Sequence, residues 1–479
     1  MAKLNLFRSF IVANIACIAY IAFQHDGSSI KDARGLITKP LLVSHDELLM
    51  KNGAVIFVFD QDQIHFAAGH SANGRTALAG VVIRQQKPHA VTAQLNSVGA
   101  VNWIHMLHDC PNSAMLGVAI DRTTNDIYAC GVKPSTSSTM FDLLLQKFTS
   151  TGTLVAEVRR EMKFVRNPTC FIQVQADSSA IFVATSGVTN ATVTTYAAAF
   201  MKVSSDLKQV VWTKTPKSLP EGPQPSTNVT GLALGLNPGE IYVAGYVQYL
   251  QANKTDASFF IERYNLTGDR EWARHIPRPR NPVVTRWKDD AMNVGKIAMN
   301  PLTGGIEWMH GVVFPNNSAS PMKAPVECIS DFVIDHRTGE RVYCGYTCDC
   351  KPEDVEFDLF KQEYNCTTDV WRRSYDMEDA GEQCEFLTLS GGKVFAFGTM
   401  YGTVKTGESM TDLLVITSLK TGAGFGDLDD PTTTTTSPTP KPTGPPLGPK
   451  DIPDSTERLS LSMISLLAAV FFAVFFNSQ

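Results

Sequence analysis

The stretch EIYVAGY, residues 240–246, is the key to the fold. Ile241, Tyr242, Val243 and Ala244 have strand composition and Gly245 ends them. Nearly the same text returns as QIHFAAGH (63–70), DIYACGV (126–132), AIFVATSG (180–187), RVYCGYT (341–347) and KVFAFGT (393–399). Before each stands another apolar stretch and a turn, as in VIFVFDQDQIHFAAG, GVAIDRTTNDIYACG and DFVIDHRTGERVYCG. Each unit is therefore predicted to open with a hairpin. Asp60, Asp121, Asp177 and Asp335 recur at the start of its turn, where a carboxylate accepts hydrogen bonds from the backbone N–H groups that follow.

A second pair of apolar stretches follows a variable loop, as in HAVTAQLNSVGAVNW, SFFIERYNLTGDREW and MNVGKIAMNPLTGGIEW. Gly99, Gly268 and Gly304 each precede a tryptophan by four residues, as a tight hairpin turn requires. Trp103, Trp212, Trp272, Trp308 and Trp371 are thus expected at one place in the repeat, as blade-packing anchors. A four-stranded unit that recurs in this way cannot bury both faces alone and must stack on its neighbours. The fold class is all-β, a single β-propeller of four-stranded blades, with seven blades expected and six as the alternative. Between the fourth and fifth opening hairpins, MNVGKIAMNPLTGGIEW reads as the second hairpin of a blade whose first is degenerate. GLITKPLLVS (35–44) is the expected strand that closes the ring and removes its free edges.

The run of IYVAG, an apolar D-x-x-x-x-K strand and G-x-x-x-W resembles the β-propeller repeats of secreted bacterial and protist proteins, often called SBBP-type repeats. The resemblance covers roughly residues 50–425 and implies a propeller used outside the cell for binding or display. The chain departs from the pattern at 275–300 and in the cysteine-rich unit near 344–384.

The two ends carry the addressing information. Lys3 and Arg8 precede an apolar run from Phe10 to Phe23, so residues 1–23 read as a signal peptide. Residues 35–426 then form the propeller ectodomain. The stretch 427–456 is a Thr/Pro-rich stalk linker that has no means of forming a core. Residues 457–479 are either the removed tail of a glycosylphosphatidylinositol signal, with Asp454 and Ser455 as attachment candidates, or a single transmembrane helix. Delivery through the secretory pathway to the outer face of the plasma membrane is expected. Six glycosylation acceptors, Asn190, Asn228, Asn253, Asn265, Asn316 and Asn365, each predict an exposed loop.

Ten cysteines include Cys17 in the leader. In an oxidising compartment the others favour disulfides over zinc. Cys328–Cys344 is the pairing first expected, because the turn at His336 folds their strands together. Cys110–Cys130 repeats that arrangement, and Cys348 or Cys350 is placed within reach of Cys384. His105, His108 and Asp109 fall on a predicted outer strand whose alternation keeps the two imidazoles on opposite faces. No G-x-S-x-G elbow, H-E-x-x-H helix or phosphate loop is present in the sequence. No catalytic, cofactor or metal residue is therefore assigned, and a non-enzymatic role is expected. A net charge of −5 and a pI near 6.1 lack the basic stripe that phosphate backbones require. The expected function is a cell-surface glycoprotein whose propeller binds or adheres to an extracellular protein or glycan. A surface hydrolase or lyase with a site assembled across blades, and a structural coat glycoprotein, are the alternatives.

Overall fold

The computed structural model describes residues 49–420, apart from 52–53, 60–63, 85–86, 98, 100, 136–139, 191–194, 217–225, 252–253, 278–295, 309–310, 322–327, 347–356, 363–368, 376–379 and 405–406. The chain enters through β1 (Leu49–Lys51) and β2 (Ala54–Phe59). Blade 1 is β3 (Ile64–Ala72), β4 (Arg75–Arg84), β5 (Lys87–Leu95) and β6 (Val101–Pro111). Blade 2 is β7 (Ala114–Ile120), β8 (Ile127–Pro134), β9 (Phe141–Phe148) and β10 (Leu154–Phe164). Blade 3 is β11 (Arg166–Val174), β12 (Ala180–Asn190), β13 (Thr195–Ser204) and β14 (Val210–Lys214). Blade 4 is β15 (Ser226–Leu234), β16 (Ile241–Gln251), β17 (Lys254–Tyr264) and β18 (Arg270–Pro277). Blade 5 is β19 (Ala298–Met299), β20 (Ile306–Trp308), β21 (Gly311–Val313) and β22 (Ala319–Pro321). Blade 6 is β23 (Cys328–Ile334), β24 (Arg341–Tyr346), β25 (Phe357–Gln362) and β26 (Asp369–Tyr375). The last sheet joins β27 (Ala380–Ser390), β28 (Lys393–Val404) and β29 (Gly407–Ser418) to β2 and β1, in the order β1-β2-β29-β28-β27.

Among the described residues, six four-stranded sheets and one five-stranded sheet make the ring. Their first strands touch in cyclic order, β3 on β7, β7 on β11, and so on until β27 returns to β3, so the first strand of every sheet is the innermost. The expected β-propeller is present. Its closing strand comes from the N-terminal side, but it is Ala54–Phe59, paired with β29 from Val55↔Ile416 to Phe59↔Asp412. Residues 35–44, expected there, lie outside the described residues.

A glycine and a bulge explain the recurring text. In blades 1, 2, 4, 6 and the last, the second-strand glycine pairs with the residue just before a one-residue bulge in the innermost strand. These pairs are Gly80↔Phe66, Gly131↔Met115, Gly245↔Val229, Gly345↔Ile329 and Gly398↔Cys384. A Cβ at Gly80, Gly131 or Gly245 would stand 2.0–2.1 Å from an innermost-strand carbonyl oxygen, so only glycine lets the two backbones approach. This register corrects the reading of blade 1. The counterpart of IYVAG is ALAGVV (77–82) in β4, whereas QIHFAAGH is the innermost strand β3. It also corrects blade 5, where MNVGKIAMNPLTGGIEW forms the first hairpin, β19–β20, and Trp308 lies on a second strand. Trp103, Trp212, Trp272 and Trp371 do share the outermost strand.

The core is distributed between blades rather than gathered in one place. Seven apolar clusters each join two consecutive sheets, such as Leu78, Val91 and Met106 of blade 1 with Phe386, Phe397 and Leu414 of the last. The outermost tryptophans bolt blade to blade. Trp212, Trp272 and Trp371 donate their indole N–H to Leu266 O, Pro315 O and Leu419 O of the following sheet, at 3.0, 2.8 and 3.1 Å. The smallest cluster, Phe332, Ile334 and Tyr343, lies at blades 5 and 6. There a fully buried ion pair, Glu307 with Arg341, takes over. Asn300 Nδ2 donates to Glu307 at 2.6 Å, Arg341 donates to Tyr343 Oη at 3.1 Å, and its guanidinium lies 5.4 Å from the Phe332 ring.

Two disulfides staple neighbouring sheets, each from a second strand to the next innermost strand: Cys130–Cys170 and Cys344–Cys384, both at a sequence separation of 40. They replace the expected pairings. Cys344 is bonded to Cys384, so it joins neither Cys328 nor frees Cys384 for Cys348 or Cys350. Across the hairpin, Cys328 stands opposite Tyr346. Cys130 is bonded to Cys170, and Cys110 is a free thiol. The reasoning from hairpin symmetry failed because side chains of a blade face the adjacent blade, which is where each half-cystine finds its partner.

Candidate functional site

The first-hairpin turns follow the innermost strands and therefore gather at one end of the ring. Several are built by a short polar side chain. Asp121 Oδ1 accepts from Thr123 N (2.8 Å) and Thr124 N (3.3 Å), Asn300 Oδ1 from Leu302 N (2.9 Å), and Asp335 Oδ1 from Arg337 N (3.0 Å). Neighbouring turns are tied together. Asn73 of blade 1 donates to Arg122 O and Asn125 Oδ1 of blade 2, both at 2.8 Å, and Ser178 of blade 3 donates to Asp121 at 2.7 Å.

Nitrogen-bearing side chains at these turns include His70, near the end of β3, and Arg122 and His336, each directly after its turn aspartate. Ile120 N of blade 2 donates to His70 Nδ1 at 3.2 Å, which leaves Nε2 to carry the proton of a neutral ring. Burial pushes the His70 pKa down to about 4, and the positive fields of Arg122 and His336 add to the shift. Burial and Arg122 likewise lower His336, with Asp335 opposing. His336 and Arg122 are exposed, and neither makes a side-chain hydrogen bond or ion pair among the described residues. The turn of the sheet between blades 6 and 1 is Gly391–Gly392, where an added Cβ would meet nothing within 4 Å. The turns at this end of the ring thus carry the exposed side chains of Arg122, His336 and Arg337 beside the turn carboxylates of Asp121 and Asp335. Asp121 and Asp335 accept from their own turns, and Asp121 also from Ser178 Oγ of blade 3.

Two other polar clusters have structural occupants. Asp331, on innermost strand β23, pairs with Lys296 at 2.5 Å and accepts from Leu387 N of β27 at 2.9 Å, so one carboxylate joins three consecutive sheets. Burial raises its pKa against the pull of Lys296. His105 is buried at the interface of blades 1 and 2 with its ring 5.0 Å from Phe148, and burial lowers its pKa. It sits on the outer strand as expected, facing the next blade. His108 interacts instead with Arg84, at 3.5 Å. No group of three or more metal-binding side chains occurs among the described residues.

The glycosylation acceptors divide. Asn265 and Asn316 lie in second-hairpin turns, where Thr267 Oγ1 and Ser318 Oγ donate to their amide oxygens at 2.6 and 2.7 Å. Asn190 ends strand β12. Asn228 departs from the exposed-loop expectation: it belongs to innermost strand β15 and accepts from Ser186 Oγ of blade 3 at 2.8 Å. Asn253, Asn365, Cys348, Cys350, Cys366, Asp60, the signal segment, the stalk, Asp454, Ser455 and the hydrophobic tail lie outside the described residues. The sequence reading did not single out His70 or Arg122. Aligning the residue that follows each turn aspartate pairs Arg122 with His336, whereas His70 has no such signal.

No protein-family model matches the chain, and no curated protein matches it. Among solved structures it resembles an acylaminoacyl peptidase from Pyrococcus horikoshii, with a TM-score of 0.41, 8% identity and coverage of 72% of this chain and 52% of that one. It spans about half of that enzyme's length. It also resembles the β-propeller domain of the Trilobed protease from Pyrococcus furiosus, described as having an open velcro topology, with a TM-score of 0.40, 7% identity and coverage of 74% and 94%. A third is the polysaccharide lyase Uly1, with a TM-score of 0.42, 10% identity and coverage of 75% and 91%. At these identities the likeness shows the fold alone. It still corrects one expectation. Propellers of this kind include a peptidase and a lyase. The fold is therefore no ground for a non-enzymatic assignment, although none of those activities passes to this chain.

Proposed function

We propose that this chain is a cell-surface glycoprotein that displays its propeller to bind an extracellular protein or glycan. The contact is made at the end of the ring where the first-hairpin turns gather. The observation that carries the reading is the gathering of the first-hairpin turns at one end of the ring, tied by Asn73 to Arg122 O and by Ser178 to Asp121, with the Arg122 and His336 side chains exposed there. Unpaired donors at a rim assembled from separate rigid elements are a common basis of recognition. The leader, the Thr/Pro stalk and the hydrophobic tail support an external, membrane-held location, and the resemblance to SBBP-type repeats supports the same setting.

The test has two arms. Cells expressing the full chain are treated with phosphatidylinositol-specific phospholipase, and release of the glycosylated ectodomain supports the lipid anchor. The displayed protein is then screened on glycan and extracellular-protein arrays, with mass analysis of recovered ligands to record turnover. Binding that is lost on changing Arg122 and His336 together supports the reading. Binding that survives that change moves the contact elsewhere and refutes it.

A further inference from the structure

We propose that Asn265 and Asn316 carry N-linked glycans while Asn228 carries none, and that the two glycans cover the exposed leucines Leu236 and Leu302 on the turns beside them. This deepens the glycoprotein reading above and rests on it. In the modification an oligosaccharide passes from a polyprenyl diphosphate donor to the asparagine Nδ2. The bond from sugar C1 to the diphosphate oxygen breaks, a C1–N bond forms, the diphosphate leaves and the amide proton is released. The acceptor must therefore be accessible, and the hydroxyl two residues on is part of the motif. The second-hairpin turns of blades 4 and 5 meet both conditions. Thr267 Oγ1 and N donate to Asn265 Oδ1 at 2.6 and 3.0 Å, and Ser318 Oγ and N donate to Asn316 Oδ1 at 2.7 and 3.0 Å. Asn316, Thr267 and Ser318 are exposed, and Asn265 is half-buried. The motif at Asn228 is closed instead. Asn228 Oδ1 accepts from Ser186 Oγ of blade 3 at 2.8 Å, Val229 N donates to the same hydroxyl at 2.9 Å, and Thr169 Oγ1 donates to Val229 O at 3.0 Å. Its hydroxyl residue, Thr230, is only 4% exposed. A glycan added there before folding would leave a chain unable to close this seam, so the folded protein excludes it.

The leucines give the two open sites a consequence. Leu236 and Leu302 are 52% and 62% exposed. Their first-hairpin turns are closed by Gly235 N on Glu240 O (2.8 Å) and Asn300 N on Gly305 O (2.9 Å). Each turn abuts the second-hairpin turn of its own blade: a Cβ on Gly239 would stand 3.2 Å from Leu266 Cγ, and one on Gly305 would stand 3.4 Å from Phe314 Cδ1. Leu266 is next to Asn265, and Phe314 precedes Asn316 by two positions. Leu236 also reaches the following blade, since a Cβ on Gly304 would stand 3.7 Å from its Cδ1. Apolar side chains on adjoining turns of an external protein form an adhesive patch, and a bulky, solubilising glycan is the group placed to cover this one.

The test uses the full chain made in a eukaryotic secretory host and extracted in detergent. Peptide-N-glycosidase in heavy-oxygen water converts each occupied asparagine to a labelled aspartate, which mass spectrometry locates. Label is expected at Asn265 and Asn316 and absent from Asn228. Label at Asn228 in folded protein, or none at Asn265 or Asn316 while another acceptor is occupied, overturns the assignment and leaves the glycoprotein reading standing. No label at any of the six acceptors overturns both. Covering is read separately, by fluorescence of an environment-sensitive apolar dye before and after glycan removal from the folded protein. The aspartates left behind still accept from Thr267 and Ser318, so both turns are kept. Fluorescence should rise in the wild type and rise distinctly less in the double variant Leu236→Ser, Leu302→Ser. Both leucines are exposed, so an unchanged melting temperature certifies the fold of that variant. An equal rise in the two proteins, or no rise in the wild type, overturns the covering role.

Discussion

His70 makes the stability of the propeller depend on pH in a way that can be worked from its surroundings. Its ring titrates at 6.5 when free and at about 4 in the fold, because burial, then Arg122 and His336, disfavour the imidazolium. Protonation would also remove the lone pair that accepts from Ile120 N. Between these two values the unfolded chain binds the proton and the folded chain does not. Stability therefore rises with pH through this window. The contribution is fully present above 6.5 and is lost as pH falls towards 4, at about 1.4 kcal/mol per unit. From about pH 7.5 to about pH 4.5 the loss comes to roughly 2.5 kcal/mol, reduced to about 2 by the water a half-buried ring retains. His105, His108, His275 and His336 are also lowered and act in the same direction, so the wild-type slope alone does not isolate His70. His70→Gln does isolate it, since a side-chain carbonyl can still accept from Ile120 N and cannot titrate. Urea unfolding of the full chain, followed by tryptophan fluorescence at both pH values, should show the variant losing about 2 kcal/mol less than the wild type. If both proteins lose the same amount, the placement of His70 in a desolvated, positive mouth is wrong.

Three further perturbations probe how the blades are held. Cys130→Ser or Cys344→Ser opens a loop of 40 residues, for which chain entropy alone gives about 4 kcal/mol, read as a lower urea midpoint that dithiothreitol reproduces in the wild type. A variant with an unchanged midpoint would show that the staple adds nothing. Glu307→Gln removes the carboxylate that pairs with the buried Arg341 guanidinium and should cost about 3–5 kcal/mol, whereas replacing both partners with apolar residues should cost distinctly less; equal costs would remove the ion pair as the cause. Gly131→Ala places a Cβ 2.0 Å from Ala114 O, so the two strands must part, and a loss of at least about 2 kcal/mol is expected in thermal melts; Gly392→Ala, where the Cβ meets nothing, should lose only the small penalty of its positive φ.

Repetition made the architecture legible, and the same repetition explains where the reading slipped. A blade writes its second strand in apolar residues ending at glycine because that glycine must sit against a bulged innermost strand. Five sheets obey the rule, and blade 3, with Thr185 opposite Cys170, has neither the glycine nor the bulge there. FAAGH mimics the pattern closely enough to shift blade 1 by one strand. The true match, ALAGVV, has Thr76 and Ala77 where EIYVAGY has Ile241 and Tyr242. Trp308 misled for the same reason, since a glycine four residues before a tryptophan fits a first hairpin as well as a second. Pairing within a hairpin is also local text, which is why it points to Cys328–Cys344 and Cys110–Cys130. The disulfides cross between sheets, a distance the sequence does not express.

The mouth was the least legible part, for a physical reason. A ring assembles its axial site from turns that are far apart in the chain, so His70, Arg122 and His336 stand in three blades with no spacing in common. What local text does contain is the aspartate of each turn, and that residue is spent on the turn itself. The residue after it differs from blade to blade: an exposed arginine in blade 2, an exposed histidine in blade 6, and in blade 3 Ser178, which is spent on Asp121 of the neighbouring turn. In a repeat protein the positions that fix the fold are those that agree between units. A binding site is therefore to be sought among positions of equal register that disagree, and Arg122 and His336 are such a pair.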